Sequence, residues 1–245
     1  MKVSLFVTCI VDQMFPGVGV AAVEVLSRLG VEVTFNSNQT CCGQPAFNTG
    51  YRKEARQVAL STVDLFEREL RSCDYIVAPS GSCVTMVRKF YRELFESDPA
   101  VVKRAEAISL KIFELSDFLV NVLKALDIEA SYHGRVTYHD CCHLLRELRI
   151  SKEPRQLIGG VRGVEFVEMH ASDACCGFGG TFSVKYPEIS TAIDQEKITN
   201  IARSGADTVV ACDSSCLMQI AGLAGRSGLG VRCMHLAELL ASREE

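Results

Sequence analysis

Short apolar runs alternate with longer amphipathic stretches along the chain. Residues 2–7 form a run rich in β-branched and aromatic side chains, which predicts a buried strand. Residues 18–29 carry Val20, Val23 and Leu26 at helical spacing, and Gly30 provides a stop. Val31, Val33 and Phe35 then alternate with polar residues, as in a half-buried strand. A long amphipathic helix follows through Ala55, Val58, Ala59, Leu65, Phe66 and Leu70, then a strand at 75–78 and a helix over 82–95. The second half repeats this order, with strands near 135–138, at 164–167 and at 208–211. A helix near 189–202 precedes the last of these, and another follows it. Residues 97–133 read as helical. Within them, 112–126 are amphipathic through Phe113, Leu115, Phe118, Leu119 and Leu126, weakly echoing 234–240. Residues 131–134 are the linker candidate.

Strands that alternate with helices predict parallel sheets, whose ligands bind outside the carboxyl ends of the strands. The expected fold class is α/β, with two pseudo-repeated, cysteine-rich parallel-sheet units spanning residues 1–130 and 131–245. The repeat is visible directly. The ten residues Asp74 to Cys83 fall on Asp207 to Cys216 without a gap, at an offset of 133. At the same offset Val3 to Cys9 falls on Val136 to Cys142, and Val31 to Val33 on Val164 to Phe166. Cys41, Cys42 and Gly43 fall on Cys175, Cys176 and Gly177 with one residue inserted. Four matches in the same order argue for duplication.

The chain has 245 residues, and surface scaling gives about 11,000 Å² for it once folded. Its 26 Lys and Arg against 30 Asp and Glu include no basic block, so neither nucleic acid nor an anionic membrane is an expected partner. No apolar run reaches the ~18 residues of a membrane span. The apolar start stops at Asp12 with no cleavage pattern after it, so a core strand is the better reading than a signal peptide and the cytoplasm is the expected location. Twelve cysteines in a reducing compartment point to metal ligation or redox chemistry rather than disulfides.

Each unit carries a cysteine, a Cys-Cys-Gly and a final cysteine: Cys9, Cys41, Cys42 and Cys83, then Cys142, Cys175, Cys176 and Cys216. In both units the first and last follow a predicted strand directly, and the pair follows another after a short loop. All four thiols of a unit therefore gather at one edge of its sheet. Adjacent residues of a strand point oppositely, so each pair must sit on a turn, which Gly43 and Gly177 permit through positive φ. Structural zinc sites usually use tight Cys-x₂₋₄-Cys pairs. Dispersed ligands with two adjacent suit a multi-iron cluster better, and four thiolates complete one. Zinc remains the alternative. Cys73 and Cys233 read as buried apolar residues.

These motifs resemble the CCG cysteine-rich domain, which occurs in heterodisulfide reductase and in the iron–sulfur subunits of glycolate oxidase and glycerol-3-phosphate dehydrogenase. The stretches Phe6 to Ile10, Cys41 to Pro45 and Cys175 to Lys185 resemble more closely, over essentially the full chain, the LutA/YkgE family of lactate-utilisation iron–sulfur proteins. The resemblance implies one or two clusters, of the [4Fe–4S] kind. It implies an electron-transfer role beside two partner proteins, one of them a ferredoxin-like iron–sulfur protein, in oxidising L-lactate to pyruvate. The competing readings are a zinc-binding assembly module and a catalytic subunit with an open iron.

In the heterodisulfide-reductase pattern the last ligand is a Cys-x-x-Cys, giving five thiols and a non-cubane cluster. Here Ser80 and Asp213 replace the first cysteine of that pair. Either they are oxygen ligands or mark an open iron site, or they are helix N-caps, for which Ser and Asp are preferred. Cys212 offers a fifth thiol in the second unit, where the first has Pro79. Cys141 aligns with Thr8 and stands where the family phrase has Pro, so Cys142 is taken as the ligand. His139 and His143 read as structural histidines, Arg146 as a surface ion pair or a carboxylate anchor. Gly177 to Gly180 lacks a nucleotide-binding fingerprint and reads as backbone packed near the cofactor. No catalytic base and no flavin or nicotinamide fingerprint is identified.

Overall fold

The computed structural model describes residues 1–244 and contains two four-stranded sheets. The first holds β1 (Lys2–Leu5), β2 (Glu32–Thr34), β3 (Tyr75–Ala78) and β4 (Ile112–Glu114) in the order β2-β1-β3-β4, every pair parallel. The second holds β5 (Ser131–Tyr138), β6 (Arg162–Phe166), β7 (Thr208–Ala211) and β8 (Arg232–His235) in the matching order β6-β5-β7-β8. The duplication extends to register: Val3 pairs with Val33 and Tyr75, and Val136 with Phe166 and Thr208, all at the offset of 133. Chain order reverses between the two central strands of each sheet. The crevice beyond their carboxyl ends is where such sheets bind ligands, and Cys9 and Cys83, like Cys142 and Cys216, follow those strands.

Two expectations fail in the middle of the chain. Residues 97–133 are not continuously helical: a helix at Pro99–Ser109 is followed by β4, and 232–235 form β8 at the other sheet's edge. These strands of three or four residues are too short to show alternation and form because β3 and β7 offer them a partner. Residues 131–134 are not a linker but open β5, since Ser131 pairs with Arg162 and bridges to Arg243. The connection without regular structure lies just before, at 124–130. The fourth strands match at an offset of 121, because the helix Pro99–Ser109 is extra in the first unit.

The two units share a core. Val3, Leu5 and Val77 from the first sheet pack in one cluster with Val136, Tyr138 and Val209 from the second. The other face of the first sheet, with Phe6, Ile76 and Ala78, packs on Phe66 and Tyr91. The cross-packing is reciprocal. The helix Pro16–Arg28 lies on the last helix of the other unit, Leu236–Ala241, and its counterpart Lys152–Gly159 lies on Leu115–Asp117. Arg28 fastens one of these contacts by donating to the carbonyls of Ile128, Leu240 and Ala241 at 2.9–3.1 Å. The whole exposes 11066 Å², matching the scaling expectation.

Glu114 and His235 occupy equivalent positions at the ends of β4 and β8, and both are fully buried helix caps. Glu114 accepts from the backbone N–H of Ser116 (2.8 Å) and Asp117 (3.3 Å), but its Oε1 has no partner, and burial lifts its carboxyl to about 8. The folded state therefore holds a proton there that the unfolded chain loses near pH 4.5, so stability falls as pH rises from there to about 8. At one pKa unit per ~1.4 kcal/mol the loss is roughly 5 kcal/mol. E114Q is expected to flatten this slope and to exceed the unaltered protein in stability at pH 9, as read by urea unfolding at several pH values.

Candidate metal centre

Each Cys-Cys pair is placed by the same turn. Gly43 (φ 88°) and Gly177 (φ 85°) take the left-handed conformation, and their N–H groups turn back to donate to the Cys41 and Cys175 sulfurs at 3.4 and 3.3 Å. The backbone is also crowded there, since a Cβ on Gly177 would lie 2.4 Å from the Ser190 carbonyl oxygen and one on Gly43 3.1 Å from that of Ala55. Cys9 opens the helix Cys9–Met14, Cys142 is the N-cap of a π turn at His143–Glu147, and Cys83 and Cys216 lie in the first turns after β3 and β7. Such turns aim backbone N–H groups at an anionic sulfur.

All twelve cysteines are free. Cys9, Cys41, Cys42 and Cys83 form one run of hydrogen-bonded thiols, and Cys142, Cys175, Cys176 and Cys216 form another. Both sets face a single cavity of about 560 Å³ between the two units. Within each set the first cysteine of the Cys-Cys pair is the acidic one. Cys41 is pulled down to about 3 by donation from Cys42 and Cys9, and Cys175 to about 2 by donation from Cys142 and Cys176. Their neighbours are pushed up by the same hydrogen bonds and by burial. Cys41 and Cys175 are thus the thiols their neighbours favour as thiolate, the form that binds a metal.

Ser80 and Asp213 stand at equivalent positions and meet where the units touch. Ser80 caps its own helix, accepting from the Cys83 N–H at 3.3 Å. Asp213 caps two helices: Oδ1 accepts from the Ser215 N–H (3.3 Å) and hydroxyl (2.7 Å), and Oδ2 from the Ser82 N–H of the other unit at 2.8 Å. The Ser80 hydroxyl reaches the same Oδ2 at 3.4 Å. Both residues line the cavity while serving as caps. The approach of the units is close, since a Cβ on Gly81 would lie 2.8 Å from that of Leu144.

Other candidates separate. Cys212 is fully buried with its sulfur against the Tyr138 hydroxyl at 3.4 Å, and it does not line the cavity. Cys73 contacts Thr34 and Cys233 lies on β8, both away from the cavity. Arg146 is exposed on the Asp173 carbonyl and is also outside it. His143 lines the cavity beside Gln44, with Nδ1 3.7 Å from the Cys142 sulfur. Cys141, set aside on alignment, faces the cavity and contacts the Cys216 thiol. His139 is 1% exposed, neither ring nitrogen has a partner, and it lies within 4.8 Å of the Cys176 and Cys216 sulfurs. Burial, then the Lys197 charge, holds this imidazole near 3, hence neutral. Spacing from Tyr138 marks neither residue, since a β-strand end gives no sign of which way the next side chains turn.

Soft sulfur donors, two of them adjacent in each set, and an orphaned buried imidazole together fit a metal or iron–sulfur group. The CCG cysteine-rich domain family matches twice, at residues 3–88 and 136–221. Lactate utilization protein A of Exiguobacterium sp. strain AT1b is 47% identical over 98% of this chain and 96% of its own length. Those of Shouchella clausii (47%) and Bacillus subtilis (45%) are matched over 100% of their own lengths and 100% and 99% of this chain. The chain belongs to the lactate utilization protein A family of CCG cysteine-rich proteins.

The two glycine turns give a test. G177A is expected to lose about 2 kcal/mol or more of stability, from left-handed strain plus a backbone clash, and G43A less. Thermal unfolding of the two variants ranks them, and equal midpoints would contradict the crowding at Gly177.

Proposed function

We propose that this chain is an iron–sulfur electron-transfer component in the oxidation of L-lactate to pyruvate. The observation that carries it is the convergence of two sets of four contacting free thiols on one cavity. The lactate assignment rests on the names of the relatives. When bound, [4Fe–4S] clusters supply one-electron carriers. Lactate oxidation releases two electrons and two protons, and two thiol sets in one cavity match two carriers. Cys9, Cys41, Cys42 and Cys83 hold the first, and Cys142, Cys175, Cys176 and Cys216 the second. The capped helix ends keep these sulfurs in place, and the shared core holds the two sets at a fixed separation.

Two partner proteins, one of them ferredoxin-like, complete the system in this reading. Exposed apolar side chains support such docking: Val184 lines the cavity and is 80% exposed, and Tyr186 and Ile189, each 55% exposed, follow it in the chain. The cytoplasm, where thiols stay reduced, is the compartment that suits twelve free cysteines. No described helix is long and apolar enough to cross a membrane. A second reading is zinc, favoured by the meeting of His139, Cys176 and Cys216 in one corner.

Anaerobic purification with iron, acid-labile sulfide and zinc quantification separates the two. Iron and sulfide in near-equal amount support the cluster reading, and zinc without sulfide overturns it. C42S is expected to retain about half of the iron, because the second set does not use that sulfur. Complete retention or complete loss would contradict two separate centres.

A further inference from the structure

We propose that the second centre is a five-thiol site in which Cys141 is an additional metal donor, so that the two centres in the cavity are chemically unequal. The proposal rests on the metal-centre reading above. Cys141 is 2% exposed, lines the cavity, and shares a thiol–thiol hydrogen bond with Cys216. The helical backbone of Cys142 (φ −57°, ψ −40°) starts a π turn, and across it both neighbouring sulfurs reach the same space. Cys212 is the internal comparison. It is as deeply buried, but its sulfur is turned to Tyr138 and away from the cavity, as an inert core cysteine would be.

His139 is an independent sign of a ligand in this corner. A buried imidazole with both nitrogens unpartnered carries a desolvation cost that a hydrogen-bonding group bound in this corner would offset. It stands within reach of Cys176 and Cys216, the latter being the sulfur that Cys141 touches. Such a ring is a positioning residue, able to donate an N–H to a metal-bound sulfur. The first unit has neither feature, since Thr8 and Phe6 occupy the positions of Cys141 and His139. Removing or adding one thiol is therefore a swap between the two halves of the same molecule.

The test uses C141T, which copies Thr8, and the converse T8C, in the full-length anaerobically reconstituted protein. The EPR signal lost in C176S identifies the second centre. C141T is expected to change that signal and leave the other as it was. It should also lower the retention of metal against a chelator by about tenfold or more. T8C is expected to change the first centre's signal. H139F should lower the midpoint potential of the second centre alone, because hydrogen bonds to cluster sulfurs raise it. C141T with unaltered spectrum and metal retention overturns the proposal. If circular dichroism shows that C141T does not fold, C141S takes its place under the same criterion. Sulfide and zinc in the unaltered protein decide the nature of the metal separately, since chelator retention reads the extra donor whichever metal is bound.

Discussion

Asp213 holds the N-termini of two helices at once, one in each half of the molecule, and the cavity depends on that contact. Its two oxygens are divided between Ser215 of its own helix and Ser82 of the other unit. Ser80, its counterpart by duplication, completes the contact from the opposite side. A carboxylate and a hydroxyl, rather than two carboxylates, stand at this meeting point, so no like charges face one another there. Because Cys83 and Cys216 lie within three residues of these caps, fixing the caps fixes the last thiol of each set.

A second constraint acts on the Cys-Cys pairs. Two adjacent side chains reach one side only if the chain turns between strand and helix, and the turn used here demands a left-handed residue pressed against the next helix. Glycine alone meets both demands. The same glycine supplies the N–H that stabilises an anionic sulfur two residues before it. Conformation and electrostatics are thus served by one residue in each unit.

Duplication made the halves alike, and burial made them differ. Beyond the cavity the first unit carries an extra helix and a second core of its own, whereas the second unit's buried apolar residues lie in the shared core and only its Leu148 reaches the other. At the cavity, the second unit presents a fifth sulfur where the first presents the Thr8 hydroxyl, and behind it a buried imidazole near Cys176 and Cys216 stands where the first unit has the core residue Phe6. The ion pair of Arg155 and Asp140, at 2.7 Å, braces the segment that carries them and has no equivalent across the repeat.

The fold class, six of the eight strands and the repeated thiols were legible in the residues, because strand burial and Gly-terminated turns leave local patterns and because a duplication shows itself by offset. The edge strands β4 and β8 were not, since three or four residues carry no period and take their form from a neighbour. The cap roles of Ser80 and Asp213 were legible as residue preferences, but their meeting was not. In the sequence Cys212 offers the fifth thiol and Cys141 is set aside. Only the tertiary structure turned one toward Tyr138 and the other into the cavity, because the direction of a side chain after a strand is decided by what packs against it. Local periodicity determined which residues belong to which element; the shared core and the contact between the units decided which sulfurs meet.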